Sequence, residues 1–594
     1  MDNMSIERFF NDINLNRKDY IYFLFLILFG ILLTVHIIKF NQLRGAFNSD
    51  IYIYLSNALN LAGMNYNNLS DPYWMFCGPL ICYLTSLIFK MGYVNINAIF
   101  IVTGFFSILG ILGMYTFLKV RFSPILSLTG TLIYSSLSIV LYWFSNGMLD
   151  IPAVSMSLWV LIFIIAAVDK NPKYYILASI LFILMFYIRF SSAYLILVVL
   201  VYMAKKFDIL DLIDNLISDR KIFKEKLFSF FYSSDFKWIV YSLILGIILM
   251  FYGFHVIWSY GGQLSFLGHA TSSITGLSYS PNDPNVIFDR WFYLKNFINY
   301  LSCNHIVFNE RLTEFFVEPS WFAYLIFSIF GVGIFLKIIT ILKNRTKIND
   351  IYLNRDTYKT NKFGIILVSL FFVLLIITRF SFRYNYLISL FTLLMCFIIL
   401  LSLHNKLKIN NHFAFSVMNL ALFLIFLLVF SYMNIKCIRY ILPAIPGFIY
   451  FVVYALENIL DYIEGGFSIN GNIFTSKKVN NKLISKLILI VLIILCIVVV
   501  CNFTNTVEIA ERGNEVIDVC DFIIAYDPNY QSKNIGSCME RYFEWYLNKD
   551  LNLTHNVALN ESNFTYIIYQ KELNEDNYHL IYNTNSYFVY EKNN

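Results

Sequence analysis

The chain has 594 residues, of which 58% are hydrophobic, 19% aromatic and only 14% charged, and its mean hydropathy is +0.63. Soluble domains carry about 25% charged residues and need polar side chains to cover their outside, so this composition excludes a soluble enzyme, a secreted disulfide scaffold and a disordered protein. The net charge of +6 is small for the length, and no Lys/Arg run suggests nucleic acid.

The apolar residues fall in blocks of about twenty, the length that crosses a bilayer. The first, Tyr20 to Phe40, follows Arg8, Arg17 and Lys18. It is too long for a signal-peptide core and has no small-x-small cleavage site, so it reads as a retained span. Further blocks run at 97–118, 125–144, 152–168, 174–188, 190–203, 238–258, 321–342, 364–378, 384–403, 413–432, 440–460 and 485–502, which makes thirteen. Only Arg189 parts the two short blocks at 174–188 and 190–203, so a tilted or re-entrant pair is open there. The block 76–94 begins with Gly78-Pro79 and carries Lys90, which places it on the membrane surface.

With thirteen spans the loops sort into two sets, carrying 26 Lys and Arg on the N-terminal side against 10 on the other. The positive-inside rule then puts the N-terminus in the cytoplasm and the tail 503–594 outside. N-x-S/T sequons at Asn68, Asn502, Asn552, Asn560 and Asn563 lie on the outer side or its boundary, against Asn3 and Asn344 inside. The expectation is an all-α polytopic protein of the plasma membrane with about 13 helices over 1–502, a first outer loop at 41–96 and a second at 259–320. A small extracytoplasmic α/β domain follows at 503–594. In it Thr506 to Tyr526 reads as a helix ended by Asp527-Pro528-Asn529, and Met539 to Asn548 as a second. Phe564 to Tyr569 and the alternating run Tyr578 to Tyr590 read as strands. No internal repeat is visible, which weakens any transporter built on inverted repeats.

Nine cysteines are scattered without a C-x-x-C pair. Seven lie in or beside apolar segments and read as small buried hydrophobes. Cys520 and Cys538 lie in the tail, where an external location would let them pair.

Charged residues on the outer side are few, and each needs an account. In Asn48-Ser-Asp50-Ile-Tyr-Ile-Tyr54-Leu-Ser-Asn57 a surface helix would put Asp50, Tyr54 and Asn57 on one face. Equally, Asp50 could be the N-cap of a helix that starts at Ile51. Asp150, in Gly147-Met-Leu-Asp150-Ile-Pro152, also sits where a cap would, with Pro152 suited to a first helical turn. Two acids at one membrane boundary make a shared site more credible than either alone. Arg189, Arg379, Arg383, Lys436 and Arg439 run against the positive-inside bias. A lipid phosphate would suit the guanidinium fork, and snorkelling to ordinary headgroups is the alternative.

The segments Asp50-x-x-x-Tyr54, Gly78-Pro79-Leu80, Gly147-Met-Leu-Asp150-x-Pro152 and Arg439-Tyr440-x-x-Pro443-x-x-Pro446 occur in that order. Together they resemble the GT-C membrane glycosyltransferases, in the branch of protein O-mannosyltransferases and aminoarabinose transferases. That family often has an acid pair in the first loop and two prolines before the second helix. Here Ser49 and Ile51 flank Asp50, and Cys77-Gly78 precedes a single Pro79, so metal dependence does not carry over. The resemblance implies transfer of a sugar from a polyprenyl-phosphate donor to a protein, lipid or glycan acceptor on the outer face. Asp50 would be the base, with Asp150 orienting the acceptor or a cation. Tyr54, Arg189, Arg379, Arg383, Arg439 and Tyr440 would bind substrate. The leaving phosphate would be stabilised by the arginines, with or without a divalent cation. The loop 259–320, with His269, Arg290, Trp291, His305 and Arg311, could close over the acceptor. A transporter or flippase of lipid-linked saccharides, which would also want outer arginines, is the alternative.

Overall fold

The structure, a computed structural model, describes residues 11–13, 15–17, 19–43, 48–64, 78–206, 220–259, 287–308, 314–348, 357–407, 412–465, 478–509, 511–537, 540–549, 551–553, 564–573 and 577–593. Asn68, His269, Arg311 and Cys538, singled out above, lie outside them, and Cys520 is a buried free thiol.

The protein is mostly helical, and the chain is an integral, multi-pass membrane protein. Eight described helices are long and apolar enough to cross a bilayer: Asp19–Gln42, Asn97–Lys119, Asp150–Asp169, Ser234–Ser259, Trp321–Leu342, Phe413–Tyr432, Ile438–Glu464 and Asn481–Thr506. Five shorter apolar helices accompany them: Pro79–Lys90, Tyr174–Ile188, Phe190–Met203, Leu367–Ser381 and Tyr386–Ser402. Burial separates the long helices into two kinds. Of the most apolar stretch of Asp150–Asp169, 94% is buried inside the protein, against 11% for Ser234–Ser259 and for Trp321–Leu342. Leu243, Ile247, Phe251 and Phe335 on those last two helices are more than half exposed. Rows of bare aliphatic and aromatic side chains around a buried helix are what a lipid solvent permits and water does not.

The central helix Asp150–Asp169 packs between Asn97–Lys119 and Tyr174–Ile188. Close approach there depends on small residues, as it does between helices in lipid. Gly110 faces Ser155 with no room for a side chain, and the Trp159 indole Nε1 donates to the Leu109 carbonyl at 3.0 Å.

The block 125–144, expected as one span, is broken. Helix Pro124–Ser136 ends at Leu137, whose backbone is extended, and a short helix Ser138–Trp143 follows. Hydroxyls compete with the helix here. Ser135 Oγ donates back to the Thr131 carbonyl at 2.9 Å and Ser136 Oγ to that of Ile133 at 2.9 Å, a local pairing that loosens helices. The Ser138 hydroxyl instead accepts the Cys303 N–H at 3.1 Å. Broken helices are tolerated at membrane depth only where protein satisfies the freed groups, and every residue from Leu126 to Asp150 is buried.

Two strands that the sequence reading missed lie in the segment 259–320. Cys303–Phe308 (β1) and Glu314–Pro319 (β2) form an antiparallel hairpin. In the tail, helix Glu511–Tyr526 ends where expected, and Glu540–Leu547 forms the second helix. Strands Ile535–Ser537 (β3), Asn552–Leu553 (β4), Tyr566–Tyr569 (β5), Tyr578–Asn583 (β6) and Phe588–Lys592 (β7) make one sheet in the order β4-β3-β5-β7-β6. The expected single run 578–590 is therefore a hairpin. Glu515 Oε2 fixes its turn, accepting from the Thr584 hydroxyl and the Ser586 N–H, each at 2.8 Å.

The tail is tied to the membrane part at two places. Glu508 N–H donates to the Ile306 carbonyl of β1 at 2.9 Å. Helix Glu540–Leu547 packs on helix Ser49–Ala62, where the fully buried Tyr52 lies 5.1 Å from the ring of Tyr542 and 6.0 Å from that of Tyr546.

Candidate active site

Helix Ser49–Ala62 starts two residues earlier than the sequence suggested, and Asn48 caps it. The Asn48 side chain accepts the Asp50 N–H at 3.2 Å, with Asn48 in a left-handed conformation (φ 45°). The cap role is thus filled, and the Asp50 carboxylate is free to act elsewhere. Its side chain is 32% exposed. Tyr54 and Asn57, expected to share an open face with it, are 6% and 1% exposed and belong to the packed side of the helix.

Asp150 opens the central helix, and its side chain does not cap that helix either. The preceding turn is held rigidly. Ser145 Oγ donates to the Phe100 carbonyl at 2.9 Å, Gly147 N–H to Thr103 Oγ1 at 3.1 Å, and Met148 N–H to Asn146 Oδ1 at 3.1 Å. Gly147 sits at φ 83°, a conformation that glycine adopts without steric cost. Gly78, at the head of helix Pro79–Lys90, comes so close to Leu149 that a methyl group there would lie 2.6 Å from Leu149 Cδ2. The carboxylate that this turn presents is 2% exposed.

Two breaks in other helices supply the cations. Tyr174–Ile188 ends at Arg189, whose backbone is extended before the 3-10 turn Phe190–Tyr194. A second 3-10 turn, Ile438–Ala444, carries Arg439, Tyr440 and Pro443 into helix Ile445–Gly465. Arg189 Nη1 pairs with Asp150 Oδ1, while its Nε donates to Ser191 Oγ at 3.0 Å. Arg439 Nη2 donates to Asp50 Oδ2 at 2.7 Å, and its Nε lies 3.9 Å from Asp150 Oδ2. The four residues therefore form a chain Asp50–Arg439–Asp150–Arg189, with two charges of each sign.

Aromatic rings box this chain in. The Arg189 guanidinium lies 5.1 Å from the centroid of the Tyr440 ring and that of Arg439 lies 5.7 Å from the Trp143 ring, within cation–π range. Met148 Sδ is 3.8 Å from Arg439 Nη1. Asp150 Oδ2, Arg439 Nε and Trp143 Nε1 are buried without a hydrogen-bond partner among the described residues. Such groups are costly to leave unmet, so a ligand or water belongs among them. Trp143, Met148 and Ser191 carried no signal in the sequence beyond their apolar or polar surroundings.

Arg379 and Arg383 are exposed and form no ion pair with this chain among the described residues. Arg379 lies 5.1 Å from the Trp291 ring and Arg383 5.9 Å from that of Tyr384. Lys436 is buried at the end of helix Phe413–Tyr432. Its ammonium donates to the carbonyls of Ser431 at 2.6 Å and Phe430 at 3.1 Å, and to that of Met433. The Tyr293 hydroxyl donates to the Cys437 carbonyl at 2.9 Å. These bonds fix the turn that delivers Arg439.

A divalent cation would need several oxygen ligands and an excess of negative charge. Each acid here already holds a guanidinium, and no three His, Cys, Asp or Glu converge among the described residues. The charge-balanced arrangement does not fit such an ion.

Residues 77–209 match the family described as dolichyl-phosphate-mannose-protein mannosyltransferase. That match agrees with the resemblance drawn from the motifs over these residues, which contain Gly78-Pro79, Asp150 and Arg189. Asp50 and Arg439 lie outside it. Solved structures similar to the chain include ArnT from Cupriavidus metallidurans bound to undecaprenyl phosphate, 11% identical, with 96% of this chain and 97% of that one covered and a TM-score of 0.47. The apo state of the same ArnT is 12% identical over 89% and 85%, at 0.45. The archaeal oligosaccharyltransferase AglB from Archaeoglobus fulgidus, in complex with an inhibitory peptide and a dolichol-phosphate, is 10% identical over 90% and 65%, at 0.44. No curated protein sequence matches the chain.

Proposed function

We propose that the chain is a membrane glycosyltransferase that moves a sugar from a polyprenyl-phosphate donor to an acceptor hydroxyl on the extracytoplasmic face. The carrying observation is the ion-pair chain itself. Two carboxylates from helix starts and two guanidiniums from helix breaks meet at one place, around buried polar atoms that lack partners among the described residues. Structural ion pairs alone do not call for two broken helices.

In this reading Arg439 and Arg189 receive the donor phosphate and neutralise the charge that it gains as the sugar leaves. Asp50, the more exposed acid, takes the acceptor proton. Asp150, fixed by both arginines, positions them and the acceptor. Tyr440 stacks on Arg189 and holds it in line, and Tyr54 packs the helix that presents Asp50. Arg379 and Arg383 would meet the donor from the surface turn 378–385. Protein, lipid and glycan acceptors all supply the required hydroxyl.

The test is consumption of a radiolabelled polyprenyl-phosphate sugar by detergent-purified protein. Asp50→Asn is nearly isosteric but cannot take a proton, and loss of a general base costs ~10²–10⁴-fold in turnover. Near-normal turnover in a well-folded Asp50→Asn variant refutes the base role, and no consumption by the unaltered protein refutes the transferase reading.

A further inference from the structure

The base assigned above is tied to a cation. Asp50 Oδ2 sits 2.7 Å from Arg439 Nη2, so the oxygen that would take the acceptor proton is already occupied by a guanidinium N–H. Arg439 is also the guanidinium best placed for the donor phosphate. Both demands on one side chain cannot be met together.

We infer that the donor phosphate displaces Asp50 from Arg439, so that the carboxylate is released as a base only when donor is bound. This rests on the transferase reading above. Three observations carry it. First, the two anionic partners of Arg439 are unequal. Asp150 is 2% exposed and clamped by Arg189, whereas Asp50 is 32% exposed and, among the described residues, bonded through its carboxylate to Arg439 alone. An incoming anion can replace Asp50 without unburying a charge. Second, Arg439 stays where it is when Asp50 leaves, because Asp150, the Trp143 ring and the turn fixed by Lys436 all hold it. Its unpartnered Nε gives a phosphate oxygen a second donor on the same fork.

The third observation is the charge count. Arg189, Arg439 and Asp150 sum to one net positive charge, which either Asp50 or a phosphodiester can balance, but not both. During transfer the count is conserved. The acceptor oxygen bonds the anomeric carbon, and the bond from that carbon to the phosphate oxygen breaks with its electron pair left on the phosphate. The acceptor proton goes to the freed Asp50. The second phosphate charge thus appears as the carboxylate charge is lost. Before donor arrives, Asp50 is held by Arg439, and water or acceptor meets no free base.

Binding separates this from the transferase reading. The probe is a polyprenyl phosphate carrying no sugar, titrated into full-length protein in detergent. Removing the competing charge in Asp50→Asn should tighten binding by about tenfold, the scale of one charge-assisted hydrogen bond. Asp50→Ser, which also removes the charge, should do the same. Arg439→Gln should weaken binding in either background. Unchanged or weaker binding in both Asp50 variants, with the Arg439→Gln loss intact, overturns the displacement and leaves the donor site standing. Binding indifferent to Arg439→Gln overturns the donor site, and the displacement with it.

Discussion

Replacing Arg189 by leucine is expected to destabilise the protein sharply, and replacing Asp150 along with it to restore most of the loss. The Asp150 carboxylate is 2% exposed and Arg189 16%, so the pair is desolvated. Breaking such a pair from one side costs about 3–5 kcal/mol because the other charge is left buried alone. Arg439 compensates only in part, since its Nε forms an ion pair with Asp150 Oδ2 at 3.9 Å but no hydrogen bond. The lost stacking of Arg189 on Tyr440 contributes ~0.5–2 kcal/mol of that total. In the double variant Arg189→Leu/Asp150→Leu the remaining charges, Asp50 and Arg439, still balance each other. Apolar replacement of a whole buried pair is often neutral, so the double variant should lie within ~1 kcal/mol of the parent. The assay is equilibrium unfolding in detergent over the full double-mutant cycle. A loss below ~1 kcal/mol for Arg189→Leu alone, or a double variant as unstable as the sum of the singles, would show that the buried pair is not what holds these helix ends.

Topology gives a second expectation. Single cysteines placed in 220–231 of a cysteine-free variant should resist an impermeant label in intact cells while those in the tail react, and the opposite pattern would invert the map. A third concerns pH. Burial, with Arg290 adding and Asp289 opposing, pushes the Lys436 ammonium down to about 7. The unfolded chain then binds the extra proton above that pH, so stability should rise from pH 7 towards 10 and Lys436→Met should flatten the rise, as unfolding at pH 7 and 9 will show.

The sequence carried the membrane character, the long spans and the two acids, because apolar blocks and isolated charges are properties of residues in order. Asp50, Asp150, Arg189 and Arg439 stood out for the same reason: each is a charge at the edge of an apolar run. What could not be read was how they pair, since Arg439 and Asp50 lie 389 positions apart. The break at Leu137 was hidden as well, as its signal is a cluster of serine hydroxyls in an otherwise apolar block. Asp50 looked like a cap because Ser-Asp before an apolar run normally is one, and Asn48, two residues further upstream, does that work. Strands β1, β3 and β4 are short or irregular in pattern, so alternation had too few residues to show.

The aromatic lock of Tyr52 against Tyr542 and Tyr546 also fixes an order of events during synthesis. The helix that bears Asp50 leaves the ribosome long before the helix that packs on it, since Tyr52 and Tyr546 are 494 positions apart. At ~5–20 residues per second the interval is roughly 25 to 100 seconds. Within it the spans between them can be inserted while Tyr52 lacks its partners, so the nascent chain meets lipid with the Asp50 helix unclamped. A chain cut short before residue 540 would therefore insert its spans without the two rings that pack on Tyr52.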